Sequence, residues 1–145
     1  MSVKDFLTKE QQDIVVKAIE DAEYATSGEI RVHIEETCKI DVLDRAAYVF
    51  KKLKMHETAL RNGTLIYLAA RDHKFAILGD AGINAKVPEG FWDEIKAIMA
   101  SNFAKNDFVN GLSEGIQMIG AKLKTYFPLI PGDKNELSNE ISFKA

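Results

Sequence analysis

Residues 29–35 read Glu29-Ile30-Arg31-Val32-His33-Ile34-Glu35, with polar and apolar side chains in strict alternation. A period of two is typical of a β-strand that buries one face. Residues 64–70 form a continuous apolar run, as expected of a central strand covered on both faces. Residues 75–78 form a third apolar run after a short polar turn, so these last two strands are predicted to form an antiparallel hairpin.

Four stretches with apolar side chains at helical spacing surround these strands, and each begins with a residue suited to a helix start. They predict helices over residues 9 to about 25, 41 to about 55, 88 to about 105, and 107 to about 127. The first carries a capping box at Thr8-Lys9-Glu10-Gln11, and Pro88 suits the first turn of the third.

The order of these elements predicts an α/β fold with a small mixed β-sheet flanked by helices. A helical crossover makes the first two strands parallel, and the hairpin makes the third antiparallel. Residues 1–128 are predicted to form a single domain. Residues 129–145 lack a sustained period, and we expect them to form a mobile C-terminal tail.

Composition excludes several classes of protein. The 145 residues are 46% hydrophobic and 28% charged, and the formal net charge of −3 argues against a nucleic-acid binder. The apolar runs are too short for membrane insertion. The amino terminus does not resemble a secretory signal, and Cys38 is the only cysteine, so we expect a cytoplasmic protein without an internal disulfide.

The predicted topology gathers three loops at one end of the sheet, which we call the Glu29 end. Glu29 enters the first strand, Asn62 precedes the second, and Asp80 follows the third. Oxygen donors of this kind suit Ca²⁺ or Mg²⁺, so these three residues are candidate metal ligands. Arg61 is a candidate for binding an anion such as phosphate. The alternative is that the carboxylates form ion pairs and the nearby glycines only make turns.

The opposite end of the sheet, which we call the Asp72 end, is a second candidate cation site. It gathers acidic residues from two loops and a helix start, namely Glu36, Asp41, Asp44 and Asp72. Asp41 and Asp44 lie in the first turn of a predicted helix, where carboxylates already serve as caps and interact favourably with the helix dipole. The choice between the two ends stays open on the sequence.

Three blocks, over residues 27–32, 61–67 and 75–83, together resemble the TPM-domain family, named for thylakoid-lumen, photosystem-repair and acetylcholine-receptor-modulator proteins. The resemblance extends from about Thr8 to Phe127 and is to short, soluble bacterial members. It implies a three-layer α/β/α sandwich and a capacity to bind calcium or a related divalent cation. Resemblance to the plant member of the family implies acid phosphatase activity. No residue of this sequence can be assigned as the nucleophile of that reaction.

Three functions follow as hypotheses. The first is a cation-binding domain with a regulatory or scaffolding role. The second is a metal-assisted phosphomonoesterase in which Arg61 stabilises the charge of a phosphate-containing ligand. The third is a metal-free module that binds a protein partner through the last helices.

Overall fold

The computed structural model describes residues 3–133 and 135–144, and of Lys4 it describes only the backbone. Residues 1 and 2 of the predicted domain, and residues 134 and 145 of the predicted tail, lie outside the described residues.

A three-stranded mixed sheet forms the centre of the described chain. The strands are β1 (Glu29–Glu35), β2 (Gly63–Ala69) and β3 (Lys74–Gly79), in the order β1-β2-β3. β1 and β2 are parallel, and β2 and β3 are antiparallel, as predicted. Every residue of β2 is buried, which confirms its predicted central position.

Five α-helices accompany the sheet in the described residues. They are α1 (Lys9–Glu23), α2 (Val42–Lys52), α3 (Ala81–Asn84), α4 (Asp93–Ala104) and α5 (Phe108–Leu123). Short 3-10 turns lie at Val3–Asp5 and Met55–Glu57. The capping box at the start of α1 is present, because the Thr8 hydroxyl accepts from the Gln11 backbone and the Gln11 side chain accepts from the Thr8 backbone.

Several helix boundaries differ from the prediction. The first two helices were expected to reach about residues 25 and 55, but α1 ends at Glu23 and α2 at Lys52. The third predicted helix was expected to start at Pro88, but α4 begins at Asp93 because Gly90 has a φ of 80°, which a continuous helix does not permit. The last predicted helix was expected to reach Phe127, but α5 ends at Leu123 and a turn follows. The short helix α3 was not predicted.

Two hydrophobic cores lie on the two faces of the sheet, which gives the predicted three-layer arrangement. The larger core joins β1 residues Ile30, Val32 and Ile34 to α1, α4 and α5. The smaller core joins Leu65 and Tyr67 of β2 to α2. Because side chains alternate along a strand, the polar residues of β1 face the second side.

The C-terminal segment packs beside β1, one of the two edge strands of the sheet. Ser142 forms a parallel bridge with His33, through hydrogen bonds of 2.9 Å to the backbone of Val32 and Ile34. Leu137 is buried in the smaller core. These contacts describe the position of the segment, and the mobility that we expect of residues 129–145 stays a prediction about motion.

Candidate functional site

The three loops predicted to meet at the Glu29 end do meet there. The Glu29 amide donates to the Asn62 carbonyl at 3.2 Å, and the Asp80 amide donates to the Gly63 carbonyl at 2.9 Å. Both contacts follow from the strand order, because β2 lies between β1 and β3. The same order places the backbones of Glu29 and Asp80 two strand spacings apart, which is about 10 Å across the sheet.

Asp80 forms an ion pair with Arg61. The Arg61 Nε and Nη2 atoms donate to the two carboxylate oxygens at 2.7 and 2.8 Å. The Ala81 amide also donates to Asp80 at 2.7 Å, so this carboxylate caps α3. Both oxygens of Asp80 therefore have strong donors, and the Arg61 guanidinium already binds an anionic group.

Glu29 is buried, with 4% of its surface exposed, and it has a different set of partners. One carboxylate oxygen accepts from the backbone amides of Glu136 and Leu137, both at 2.6 Å. Burial raises the pKa of Glu29 to about 6, although these two hydrogen bonds oppose the rise. Ionised Glu29 therefore lacks full compensation for the loss of water.

Glu23, at the end of α1, lies close enough to Glu29 for the charge of Glu29 to raise the pKa of Glu23. Burial raises the pKa of Glu23 to about 7, and repulsion from Glu29 contributes to the rise. The carbonyl end of a helix carries partial negative charge, so a carboxylate is unfavourable there. No basic residue lies in the last turn of α1 to offset it.

A cavity of about 260 Å³ separates the end of α1 from the C-terminal segment. Glu23, Glu29 and Asp133 line it, and none of the described residues in its lining is Lys, Arg or His. Ser27 also lines the cavity, and its buried Oγ has no hydrogen-bond partner in the described part of the chain. Asn62 fixes this loop, because its side-chain amide donates to the Ser27 carbonyl at 3.1 Å.

The acidic residues of the Asp72 end all have structural partners or lie exposed. Glu36 pairs with Arg71 at 2.7 Å, and the Asp72 carboxylate accepts from the Cys38 amide at 2.8 Å. Asp41 caps α2 through hydrogen bonds from the amides of Leu43 and Asp44. The contacts of Asp41 match the capping role that the sequence indicated as the alternative to cation binding.

A polar network lies beside this end, on β1 and β2. The Glu35 carboxylate accepts from the Tyr67 hydroxyl at 2.6 Å and from Arg45, and it contacts His33 Nε2 at 3.0 Å. Burial opposes ionisation of Glu35, but the hydrogen bonds outweigh it and lower its pKa to about 2. His33 Nδ1 contacts the Ser142 hydroxyl at 3.0 Å, so the network holds the C-terminal segment.

Within residues 3–133 and 135–144, no three His, Cys, Asp or Glu side chains converge closely enough to form a metal-binding group by themselves. A cation beside Glu29 would therefore depend on hydroxyl, amide and water oxygens in addition to its carboxylates. Ca²⁺ and Mg²⁺ both accept such mixed oxygen ligands.

Glu23, Ser27 and Asp133 are not among the site residues predicted from the sequence. A signal for Glu23 was present, because an acidic residue in the last turn of a helix opposes the helix dipole. Asp133 carried no such signal, since only the packing of the C-terminal segment brings it to the cavity.

The fold and the loops at the Glu29 end define a small three-layer α/β domain with a three-stranded mixed sheet. A family model for the TPM domain matches residues 2–122, and this chain belongs to the TPM-domain family. The family resemblance seen in the sequence is thereby confirmed. Among curated proteins, none matches the chain.

Solved structures similar to this chain include proteins from three bacteria. The BA42 protein of the psychrophilic bacterium Bizionia argentinensis is 49% identical, with a TM-score of 0.91 over 96% of both chains. The N-terminal domain of a P. gingivalis protein is 17% identical, with a TM-score of 0.69 over 84% of this chain and 79% of that one. The N-terminal domain of cg2496 from Corynebacterium glutamicum is 10% identical, with a TM-score of 0.64 over 95% and 81%.

No helix in the described residues has the length and apolar character needed to cross a membrane.

Proposed function

We propose that this TPM domain binds a divalent cation, Ca²⁺ or Mg²⁺, in the cavity between Glu23 and Glu29. One observation carries the proposal: two carboxylates with raised pKa values line a cavity that has no basic residue among its described lining. A bound cation would offset their mutual repulsion and the unfavourable end of the α1 dipole.

The donor chemistry supports a hard cation. Carboxylate oxygens of Glu23 and Glu29 would bind it directly, and the unpartnered Ser27 hydroxyl is a further oxygen donor. Asp133 adds negative charge beside them. Water would complete the coordination, as is usual for Mg²⁺ and common for Ca²⁺.

Of the three metal ligands predicted from the sequence, Glu29 remains a ligand in this proposal. Asn62 and Asp80 have other roles. Asn62 positions the Ser27 loop through its amide. Asp80 stays in its ion pair with Arg61 and stabilises the start of α3. We further propose that the protein acts in the cytoplasm and that cation binding serves a regulatory or scaffolding role.

Two other functions remain hypotheses that rest on the sequence alone. They are phosphomonoesterase activity and a metal-free interaction with a protein partner. Arg61 was the residue expected to bind phosphate, but Asp80 occupies its guanidinium through two hydrogen bonds. We therefore place the cation, and no catalytic step, at the Glu29 end.

Calorimetric titration of the chelator-treated protein tests the proposal. Ca²⁺ and Mg²⁺ are added to the wild type, to Glu29→Gln and to Asp80→Asn. The Gln side chain retains an oxygen for the Glu136 and Leu137 amides, so the C-terminal segment keeps its hydrogen bonds.

We expect Glu29→Gln to weaken cation binding at least tenfold and Asp80→Asn to leave it unchanged. Binding that is lost in Asp80→Asn and retained in Glu29→Gln would contradict the proposal and favour the ligands first predicted from the sequence. A wild type that binds neither cation would also contradict it.

A further inference from the structure

A second cavity opens on the same edge of the sheet, beside Arg31. Its volume is about 320 Å³, and it lies between the turn that follows α2 and the C-terminal segment. Its lining includes two basic residues, Arg31 and Lys54, and two hydroxyl residues, Thr58 and Ser138. None of these four belongs to the proposed cation site.

Among the described residues, Arg31 carries a charge without a close partner. The Arg31 Nε is buried and has no hydrogen-bond partner among the described residues. No carboxylate of these residues forms an ion pair with the Arg31 guanidinium either. Burial lowers the pKa of the guanidinium, and only the more distant Glu140 opposes this. An arginine remains protonated even so, and burying its Nε–H donor without an acceptor is costly.

Thr58 is a second, independent observation at the same cavity. Only 4% of its surface is exposed, and its Oγ1 has no hydrogen-bond partner in the part of the chain that the structure describes. Buried hydroxyls normally have a partner, and one that lacks it requires an explanation. A ligand oxygen or a water in this cavity would supply it.

The remaining lining decides which anion fits. Glu57 and Glu136 also line the cavity, so a dianion such as phosphate would be repelled more strongly than a singly charged carboxylate. Leu53 and Leu137 add apolar surface suited to a short aliphatic chain. A guanidinium can bind a carboxylate through two parallel hydrogen bonds.

We propose that this cavity binds a small organic monocarboxylate, with Arg31 and Lys54 holding its carboxylate group and Thr58 donating a hydrogen bond. The proposal is independent of the cation site, because it uses different residues and needs no metal.

Nuclear magnetic resonance with butyrate as the probe tests it, in the presence of a chelator and at constant ionic strength. The Arg31 Nε–Hε resonance reports contact at the proposed atom. Phosphate is titrated in parallel. The variants are Arg31→Met, Thr58→Val and the control Arg71→Met, which removes an exposed arginine paired with Glu36 at the other end of the sheet.

We expect a saturable shift of the Arg31 resonance with butyrate and at least tenfold weaker binding of phosphate. Arg31→Met should weaken butyrate binding about tenfold or more, as expected for the loss of a charge-assisted pair. Thr58→Val should weaken binding without lowering the free energy of unfolding, because the Thr58 hydroxyl has no hydrogen-bond partner to lose among the residues that the structure describes. Arg71→Met should bind as the wild type does.

The proposal would be overturned by an Arg31 resonance that does not saturate, or by equal butyrate affinity in Thr58→Val and the wild type. Tighter binding of phosphate than of butyrate would overturn the choice of a monocarboxylate. Because the Arg31 resonance and the Thr58 variant each give a result, the test does not depend on Arg31→Met folding.

Discussion

Replacing Glu29 with Gln should change how the stability of the protein depends on pH. Burial raises the pKa of this carboxyl from 4.5 to about 6 in the folded protein. A difference of this size corresponds to about 2 kcal/mol, because each tenfold change in proton affinity is worth about 1.4 kcal/mol. Glu29 is buried, so screening by solvent reduces this figure only in part.

The sign follows from the direction of the pKa change. A carboxyl whose pKa is raised on folding favours the folded state most when it is protonated, below pH 4.5. Its contribution is lost as the pH rises through 6, since the ionised form is then buried. Without a cation, the wild type should therefore lose about 2 kcal/mol from this group between pH 4.5 and pH 7.5, and Glu29→Gln should not.

Urea unfolding of both proteins at the two pH values, in a chelator, measures this difference. Other titrating groups are common to both proteins and cancel to a first approximation, apart from Glu23. The pKa of Glu23 should fall once the Glu29 charge is removed, which changes the comparison in the same direction. Glu36→Gln, which makes the same chemical change at the Asp72 end, serves as the control.

Adding Ca²⁺ at one hundred times its dissociation constant should stabilise the wild type by about 2.7 kcal/mol at pH 7.5 and have little effect on Glu29→Gln. A difference in stability between wild type and Glu29→Gln that is the same at pH 4.5 and pH 7.5 would show that burial of the ionised Glu29 carboxylate is not unfavourable and that a cation has nothing to relieve there.

Three further substitutions test the structural roles of single residues. Asp80→Asn should lower the free energy of unfolding in urea by about 1–2 kcal/mol, because the Arg61 ion pair loses its charge; an unchanged value would show that the pair contributes nothing. Gly82→Ala should lower the melting temperature and cost about 2 kcal/mol or more, since its Cβ would lie 2.3 Å from the Leu60 carbonyl oxygen; wild-type melting would show that the loop relaxes. Thr8→Ala should cost about 1 kcal/mol through loss of the α1 cap, measured by circular dichroism on heating, and a neutral result would contradict the capping role.

The sheet could be predicted from the sequence because its signals are local. The alternation in residues 29–35 and the continuous apolar run that begins at Thr64 each define a strand without reference to the rest of the chain. The start of α4 was not predicted, since Pro88 satisfies the rule for a first turn while Gly90 adopts a positive φ that the rule does not foresee.

The candidate site was predicted only in part. Strand order brought Glu29, Asn62 and Asp80 to one end of the sheet, as expected. The proximity of these loops does not determine which groups form hydrogen bonds, however. The Arg61 guanidinium donates to both carboxylate oxygens of Asp80. The cavity beside Glu29 depends on where residues after Phe127 pack, which no periodic pattern in that segment indicates.

Backbone amide shifts recorded during titration of the metal-free protein with Ca²⁺ show directly whether a cation binds between Glu23 and Glu29. We expect saturable shifts centred on Glu23, Ser27 and Glu29, and the amides of Glu136 and Leu137 should shift too because they donate to the Glu29 carboxylate. Saturable shifts centred on Asp41 and Asp72, or no saturable shift anywhere, would contradict the proposed cation site.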